Sequence, residues 1–261
     1  MNTIKITHRI VLSLIMALAL FSSCSKDDDN NSESNTVAIP DANFEQALID
    51  LEIDTNGLNG NILKTDAEAV TVVSVADKNI SSLQGIEAFK NIELLECPGN
   101  DIANLDLSEN LKLTRLNAPY NQITDIEISK NVDLETILVS ENNLTNLDIS
   151  VNTKLEIIGV SANNLTDIDV SNNVVLKSLY VANNAITAID VSNNPTLNYL
   201  YCENNELTSL NVKNGNNTNF SFFNTTSNFN LFCVQVDDVA FSNANWSSAI
   251  DGFSVFSEDC N

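Results

Sequence analysis

The chain has 261 residues, with 35 acidic against 12 basic ones and a formal net charge of −23. That balance repels a phosphate backbone and excludes nucleic acid as a partner. The single histidine, His8, lies in a leading segment expected to be removed, so the rest has no imidazole for a histidine-activated nucleophile or a histidine-bound zinc.

Residues 1–23 read as an export signal, in which Lys5, His8 and Arg9 precede an apolar run from Ile10 to Phe21 and then "SSC". The run is short for a membrane span and is followed by charge, which favours a cleaved segment. It resembles a lipoprotein signal in which Cys24 becomes the acylated first residue. Residues 24–36, "CSKDDDNNSESNT", form an acidic tether without apolar anchors. Its Lys26-Asp27-Asp28-Asp29 run resembles the signal that sends lipoproteins of Bacteroidota to the outer face of the outer membrane. The implied location is the cell surface, with contact to the membrane only through the lipid anchor.

Residues 37–91 read as an N-terminal cap and an atypical first repeat. Pro40 and Asp41 open a helix whose Phe44, Leu48 and Leu51 share one face, suited to lying over an exposed end of a repeat stack. The following "DTNGLNGNI" offers Asp54, Asn56 and Asn59 as oxygen ligands for a cation, although Leu58 stands where a further ligand is wanted; a capping turn is the alternative.

From Ile92 the chain repeats every 21 residues, and each repeat divides into halves of 10 and 11 with the pattern L-x-x-L-x-V-x-x-N. First positions fall at Ile92, Leu113, Leu134, Leu155, Leu176 and Leu197, and second halves open at Ile102, Ile123, Leu144, Leu165, Ile186 and Leu207. The first, fourth and sixth positions of each half are all apolar, as in Leu155, Ile158 and Val160. Alternation at period two turns the fourth and sixth positions to the same side of a short strand. A unit this short cannot enclose a core, so it must be one coil of a stack over residues 92–217. Both halves read as strands, giving two parallel ladders at about 4.8 Å per coil.

The ninth position is asparagine in eleven of the twelve halves, from Asn100 to Asn205. Asparagine tolerates left-handed backbone angles and its amide satisfies main-chain groups, so this column marks the corners and can bond coil to coil. Residues 218–261 read as an irregular last repeat and a C-terminal cap, with Phe220, Phe223, Leu231, Val234 and Val236 inward and Trp246 and Phe253 closing the core. Cys97 and Cys202 fall on inward positions five coils apart, roughly 24 Å, too far for a disulfide. Cys233 and Cys260 flank the cap and are expected to bridge in an oxidising compartment, two free thiols being the alternative.

Two outward columns carry the candidate sites. The fifth position of the second halves contains Asp148, Asp169 and Asp190, one carboxylate per coil, which can hold Ca²⁺ between coils or form a solvated acidic face. On the other ladder Tyr180, Tyr199 and Tyr201, with Phe222 in line, are expected to form an exposed aromatic patch; packing against the C-terminal cap is the alternative. Upstream, Arg115, Asn117 and Leu138 occupy the same columns.

The segments "LEIIGVSANNL" and "LKSLYVANNAI" resemble the bacterial leucine-rich repeats, and the nested "LTDIDVSNN" is similar to the 21-residue class in surface proteins of Bacteroidota. "IPDANFEQALI" and "LFCVQVDDVAFSNANW" resemble that family's flanking segments, so the likeness covers roughly residues 37–261. It implies a β-rich solenoid, a right-handed leucine-rich-repeat coil with parallel strand ladders and a cap at each end. It further implies a non-enzymatic surface protein that recognises a protein by adhesion or adaptor-like binding; separately, a monomer without a resident cofactor is expected. The alternatives are an accessory lipoprotein that captures glycans and a structural envelope component stabilised by Ca²⁺.

Overall fold

The computed structural model describes residues 34–260. The export signal, the Cys24 anchor and the tether up to Glu33 lie outside the described residues. The end of the stretch read as tether is already in the fold: β1 (Thr36–Ala38) pairs antiparallel with β2 (Asn61–Leu63).

Between them runs α1 (Ala42–Asp50), started by Asp41, whose Oδ1 accepts the N–H groups of Asn43 and Phe44, both at 3.0 Å. Its Oδ2 accepts N–H groups of Ser81 and Ser82 at 2.8 and 3.0 Å, which ties the helix to the first coil. Phe44 and Leu48 are fully buried, whereas Leu51 is 44% exposed. The helix ends at Asp50, so Leu51 leaves the apolar face on which a longer helix would have placed it. After α2 (Lys64–Glu68) the chain enters the stack at β3 (Val72–Ser74).

One ladder is continuous. It contains β3, β4 (Leu94–Glu96), β6 (Arg115–Asn117), β8 (Thr136–Leu138), β9 (Ile157–Gly159), β10 (Ser178–Tyr180), β12 (Tyr199–Tyr201) and β14 (Phe222–Asn224), in that order across an eight-stranded sheet. Pairing is parallel and moves one repeat at each step, so that Ile137 faces Ile158 and Leu179 faces Leu200. Identical side chains thereby stack, and the buried surface of each coil is completed by its neighbours.

The second ladder departs from the expectation. Strands β5 (Asn104–Asp106) and β7 (Asp125–Glu127) pair with each other, and β11 (Ala188–Asp190), β13 (Ser209–Asn211), β15 (Cys233–Gln235) and β16 (Val255–Ser257) form a separate sheet. Residues 146–148 and 167–169 between them are not strand. The turn that follows is the same in both kinds of coil: the carboxylates of Asp148 and Asp169 accept the N–H groups of Ser150 and Ser171, both at 2.9 Å, as Asp106 and Asp190 in the paired strands do for Ser108 and Ser192. A shallow cleft opens between these coils, lined by Thr145, Leu147, Thr166 and Ile168.

The interior follows the columns closely. All first, fourth and sixth positions of the twelve halves are buried except Ile126 and Leu147, which are partly buried against the core. Cys97 and Cys202 are buried free thiols whose pKa burial pushes up to about 12, so both are inert as nucleophiles.

The asparagines form two different ladders. In the first, Asn163 donates to the carbonyls of Val160 in its own coil and Val139 in the coil before, both at 3.0 Å, and its Oδ1 accepts the Leu144 N–H at 3.0 Å. In the second, Asn152 donates to the carbonyls of Asn131 at 2.8 Å and Ile128 at 3.2 Å, but its buried Oδ1 accepts nothing, as is true of Asn110, Asn131, Asn173 and Asn194. The left-handed residue of the first-half corner is the one before the asparagine: Gly99, Tyr120, Glu141, Ala162, Asn183 and Asn204 all have positive φ. The amide residue is thus held by its hydrogen bonds, and the strained backbone angle falls on a position whose identity is free to vary.

At the far end Trp246 closes the stack against Phe223 and Phe220, with ring centroids 4.5 and 5.3 Å away. Phe253, expected to share this task, is 45% exposed, and Phe256 takes the buried place instead. Alternation along β16 decides this, because Phe256 is the middle residue of that strand and pairs with buried Val234.

Cys233 and Cys260 are joined by a disulfide that spans 27 residues around α3 (Val239–Asn245) and β16. A closed loop of that length is worth roughly 3–4 kcal/mol in chain entropy. Reduction is therefore expected to lower the thermal midpoint by several degrees, and a melting curve in reductant checks it; an unchanged midpoint would mean that the cap is held by the tryptophan cluster alone.

Candidate recognition face

The outer surface of the eight-stranded sheet carries two columns of side chains, one from each end of the three-residue strands. Asn117, Leu138, Gly159, Tyr180, Tyr201 and Asn224 stand in one column, and Arg115, Thr136, Ile157, Ser178, Tyr199 and Phe222 in the other. All six residues singled out in the sequence thus share one face. They do not form one site, because Arg115 and Asn117 stand four strand spacings, about 19 Å, from Tyr199 and Tyr201.

The aromatic residues do converge. Tyr180 and Tyr201 have ring centroids 4.9 Å apart, and Tyr201 stacks on Phe222 at 4.1 Å with planes 10° apart. Three rings therefore run as a continuous strip across β10, β12 and β14. Phe222 is 39% exposed and the two tyrosines are half-buried, so the strip presents ring surface to solvent while its backbone is fixed by the sheet. On the other side of Tyr180 stands Gly159, where a Cβ would come within 2.8 Å of the Leu138 side chain. Leu138 fills that space and makes an apolar floor beside the strip.

Glu203 was not singled out by sequence, yet it borders the rings. Burial pushes the Tyr201 hydroxyl up from its ordinary pKa, and Tyr180, Glu203 and Tyr199 add to the shift. Glu203 Oε2 is buried and accepts no hydrogen bond. The residue as a whole is only partly buried, so a turn of its side chain would bring the carboxylate to a cationic donor over the rings, which gains from both the carboxylate and the ring quadrupole. Nothing in the repeat pattern marks Glu203, because its position lies just beyond the strand, in a corner whose residues vary.

The acidic column is built differently. Asp148, Asp169 and Asp190 each fold back on their own turn, accepting the N–H groups of Ser150, Ser171 and Ser192 at 2.8–2.9 Å. Among the described residues no group of three or more histidine, cysteine, aspartate or glutamate side chains is placed to hold a metal ion. Hydrogen bonds from the serines hold Asp106, Glu127, Asp148 and Asp169 below their ordinary pKa values. Such groups favour the folded state while ionised and lose that contribution as pH falls through their lowered values, so this column is stabilising at neutral pH.

No protein-family model matches the chain, and no curated protein matches it. Solved structures do. The chain is similar to internalin C2 from Listeria monocytogenes, with 20% identity, 78% of this chain and 98% of that one covered, and a TM-score of 0.51. It is also similar to the functional domain of InlJ from Listeria monocytogenes, described as including a cysteine ladder, at 23% identity over 78% of this chain and with a TM-score of 0.47. The chain spans 58% of the length of that InlJ domain. The fold is a parallel-strand solenoid of the leucine-rich-repeat kind, as the repeat columns require.

Proposed function

We propose that this solenoid is a non-catalytic recognition module that binds a protein partner through the outer face of the eight-stranded sheet. One observation carries the reading: a rigid strip of stacked rings, Tyr180, Tyr201 and Phe222, bordered by the unpaired carboxylate oxygen of Glu203. Rigid aromatic side chains contribute large contact area at low entropic cost, which is why they anchor interfaces. The net charge of −23 adds long-range attraction for a basic surface. The partner group best suited to the strip is an arginine or lysine side chain laid over the rings with its cation toward Glu203.

Lipid attachment at Cys24, display on the outer membrane of a bacterium of the Bacteroidota and action as a monomer belong to the same reading. The support for the anchor and its location is the leading sequence: the apolar run, the "SSC" triplet and the acidic run after it.

A binding screen of basic, neutral and acidic peptides, run beside an oligosaccharide array, tests the proposal. Retention of basic peptides is expected, reduced about tenfold by Glu203→Gln and more by Tyr201→Ala. Stacked aromatics also suit sugar rings. Retention of oligosaccharides but of no peptide, still sensitive to Tyr201→Ala, would replace the protein partner by a glycan.

A further inference from the structure

The N-terminal cap contains a second polar centre unrelated to the recognition face. The loop from Asp54 to Asn61 turns through Gly57 and Gly60, both with positive φ, and lies between α1 and β2. Glu45 of α1, only 2% exposed, holds the far side of the loop: its Oε1 accepts the N–H groups of Asn59, Gly60 and Asn61 at 2.6–3.1 Å. Asp66 of α2 holds the near side through the N–H and hydroxyl of Thr55, at 3.1 and 2.6 Å. Both carboxylates are thus engaged with main-chain or hydroxyl donors.

Asp54 is not engaged in the same way. It is 4% exposed, and its Oδ1 accepts the Asn56 N–H at 3.1 Å, but its Oδ2 is buried and accepts no hydrogen bond. The Asn56 amide is oriented by its Nδ2, which donates to Asn61 Oδ1 at 3.0 Å, and its Oδ1 is likewise buried and without a donor. Two buried oxygens two residues apart in one loop therefore lack a hydrogen-bond donor. Leaving each unsatisfied is costly, and an unpaired buried carboxylate is the costlier of the two. Burial raises the Asp54 pKa above its ordinary value and the nearby charges of Glu45 and Asp66 raise it further, against the lowering effect of the Asn56 and Gly57 N–H groups. The site thus attracts a positive charge from any source small enough to enter.

We propose that the Asp54–Asn61 loop binds Ca²⁺, with Asp54 Oδ2 and Asn56 Oδ1 as its side-chain ligands. Only oxygen donors are present, which selects a hard cation over a transition metal. The ligands come from an irregular, glycine-hinged loop, which suits the flexible coordination of Ca²⁺ better than the strict octahedron of Mg²⁺. Main-chain carbonyls and water complete the shell in sites of this class. Occupancy would lock the cap helix and β2 together over the first coil. The inference is independent of the recognition face, since the loop lies on the opposite end of the stack from Tyr201.

The test is calorimetric melting of the purified full-length protein, first in chelator and then with Ca²⁺ or Mg²⁺ at about 10 mM, roughly tenfold above the weakest dissociation constants of extracellular Ca²⁺ modules. Ca²⁺ is expected to raise the midpoint by roughly 3–5 °C, saturably, with a smaller effect of Mg²⁺. Asp54→Asn should abolish the Ca²⁺ shift while melting in chelator no lower than the wild type, and Asp148→Asn should keep the shift. Asn56→Asp supplies a second variant: it should bind Ca²⁺ more tightly in a calorimetric titration and melt lower in chelator. A midpoint unmoved by Ca²⁺ but rising as pH is lowered from 7 to 5 would show that Asp54 holds a proton instead, and would overturn the proposal. So would an equal shift from Mg²⁺, or a Ca²⁺ shift that survives in Asp54→Asn.

Discussion

Replacing Ile158 by aspartate is expected to destabilise the protein by more than about 5 kcal/mol and to abolish a cooperative unfolding transition. Ile158 is fully buried and stands between Ile137 and Leu179 in adjacent coils of the continuous ladder. A carboxylate there meets aliphatic side chains from both neighbours. The damage should spread, because in a stack of repeats each coil stabilises the next and a broken interface separates two half-stacks. Thermal melts followed by circular dichroism decide the matter. A variant melting within a few degrees of the wild type would mean that this side chain does not face the interior.

The second large effect concerns the corners. Asn163→Ala is expected to cost about 2–5 kcal/mol, because it strands the Leu144 N–H and takes one of two amide donors from each of the Val160 and Val139 carbonyls, which keep Asn184 and Asn142. Asn152→Ala should cost less, about 1–3 kcal/mol. It strands no main-chain group, since the carbonyls of Asn131 and Ile128 keep the N–H groups of Leu134 and Asn131, and the Oδ1 it removes was itself buried without a donor. Denaturant midpoints of the two variants measured side by side check the ordering. Equal losses would mean that the two asparagine ladders are equivalent, against the hydrogen bonding described above.

Much of this architecture is legible in the sequence because one constraint is repeated many times. Each inward column is sampled once per coil, so Leu155, Leu176 and Leu197 corroborate one another, and burial follows. Where a feature occurs once, the sequence says less. Leu51 continues a helical spacing but lies past the helix end, and Phe253 is as apolar as Phe256 but takes the outward side of its segment. The gap in the second ladder escaped for another reason. Residues 146–148 have the same pattern as residues 188–190 yet are not strand, and whether neighbouring coils pair is a property of the stack that no single repeat encodes.

The candidate sites divide along the same line. The aromatic strip was visible because Tyr180 and Tyr201 hold the same position in successive repeats. Glu203 and Glu45 were not, since each becomes notable only through its surroundings: a missing donor for one, three converging N–H groups for the other. Asparagine's role was half legible. Its amide bonding follows from chemistry, but the left-handed angle falls on its predecessor, at positions as dissimilar as Tyr120, Glu141 and Ala162.

The most direct test of the central claim, that the outer face of the continuous ladder is the recognising surface, is site-specific photo-crosslinking in extracts of bacterial and host surfaces. A photoreactive residue is placed in turn at Tyr201 and at Asp169 on the opposite side of the coil. Discrete protein adducts from position 201 and none from position 169 are the predicted result. Adducts from position 169 alone, or the same adducts from both, would contradict it.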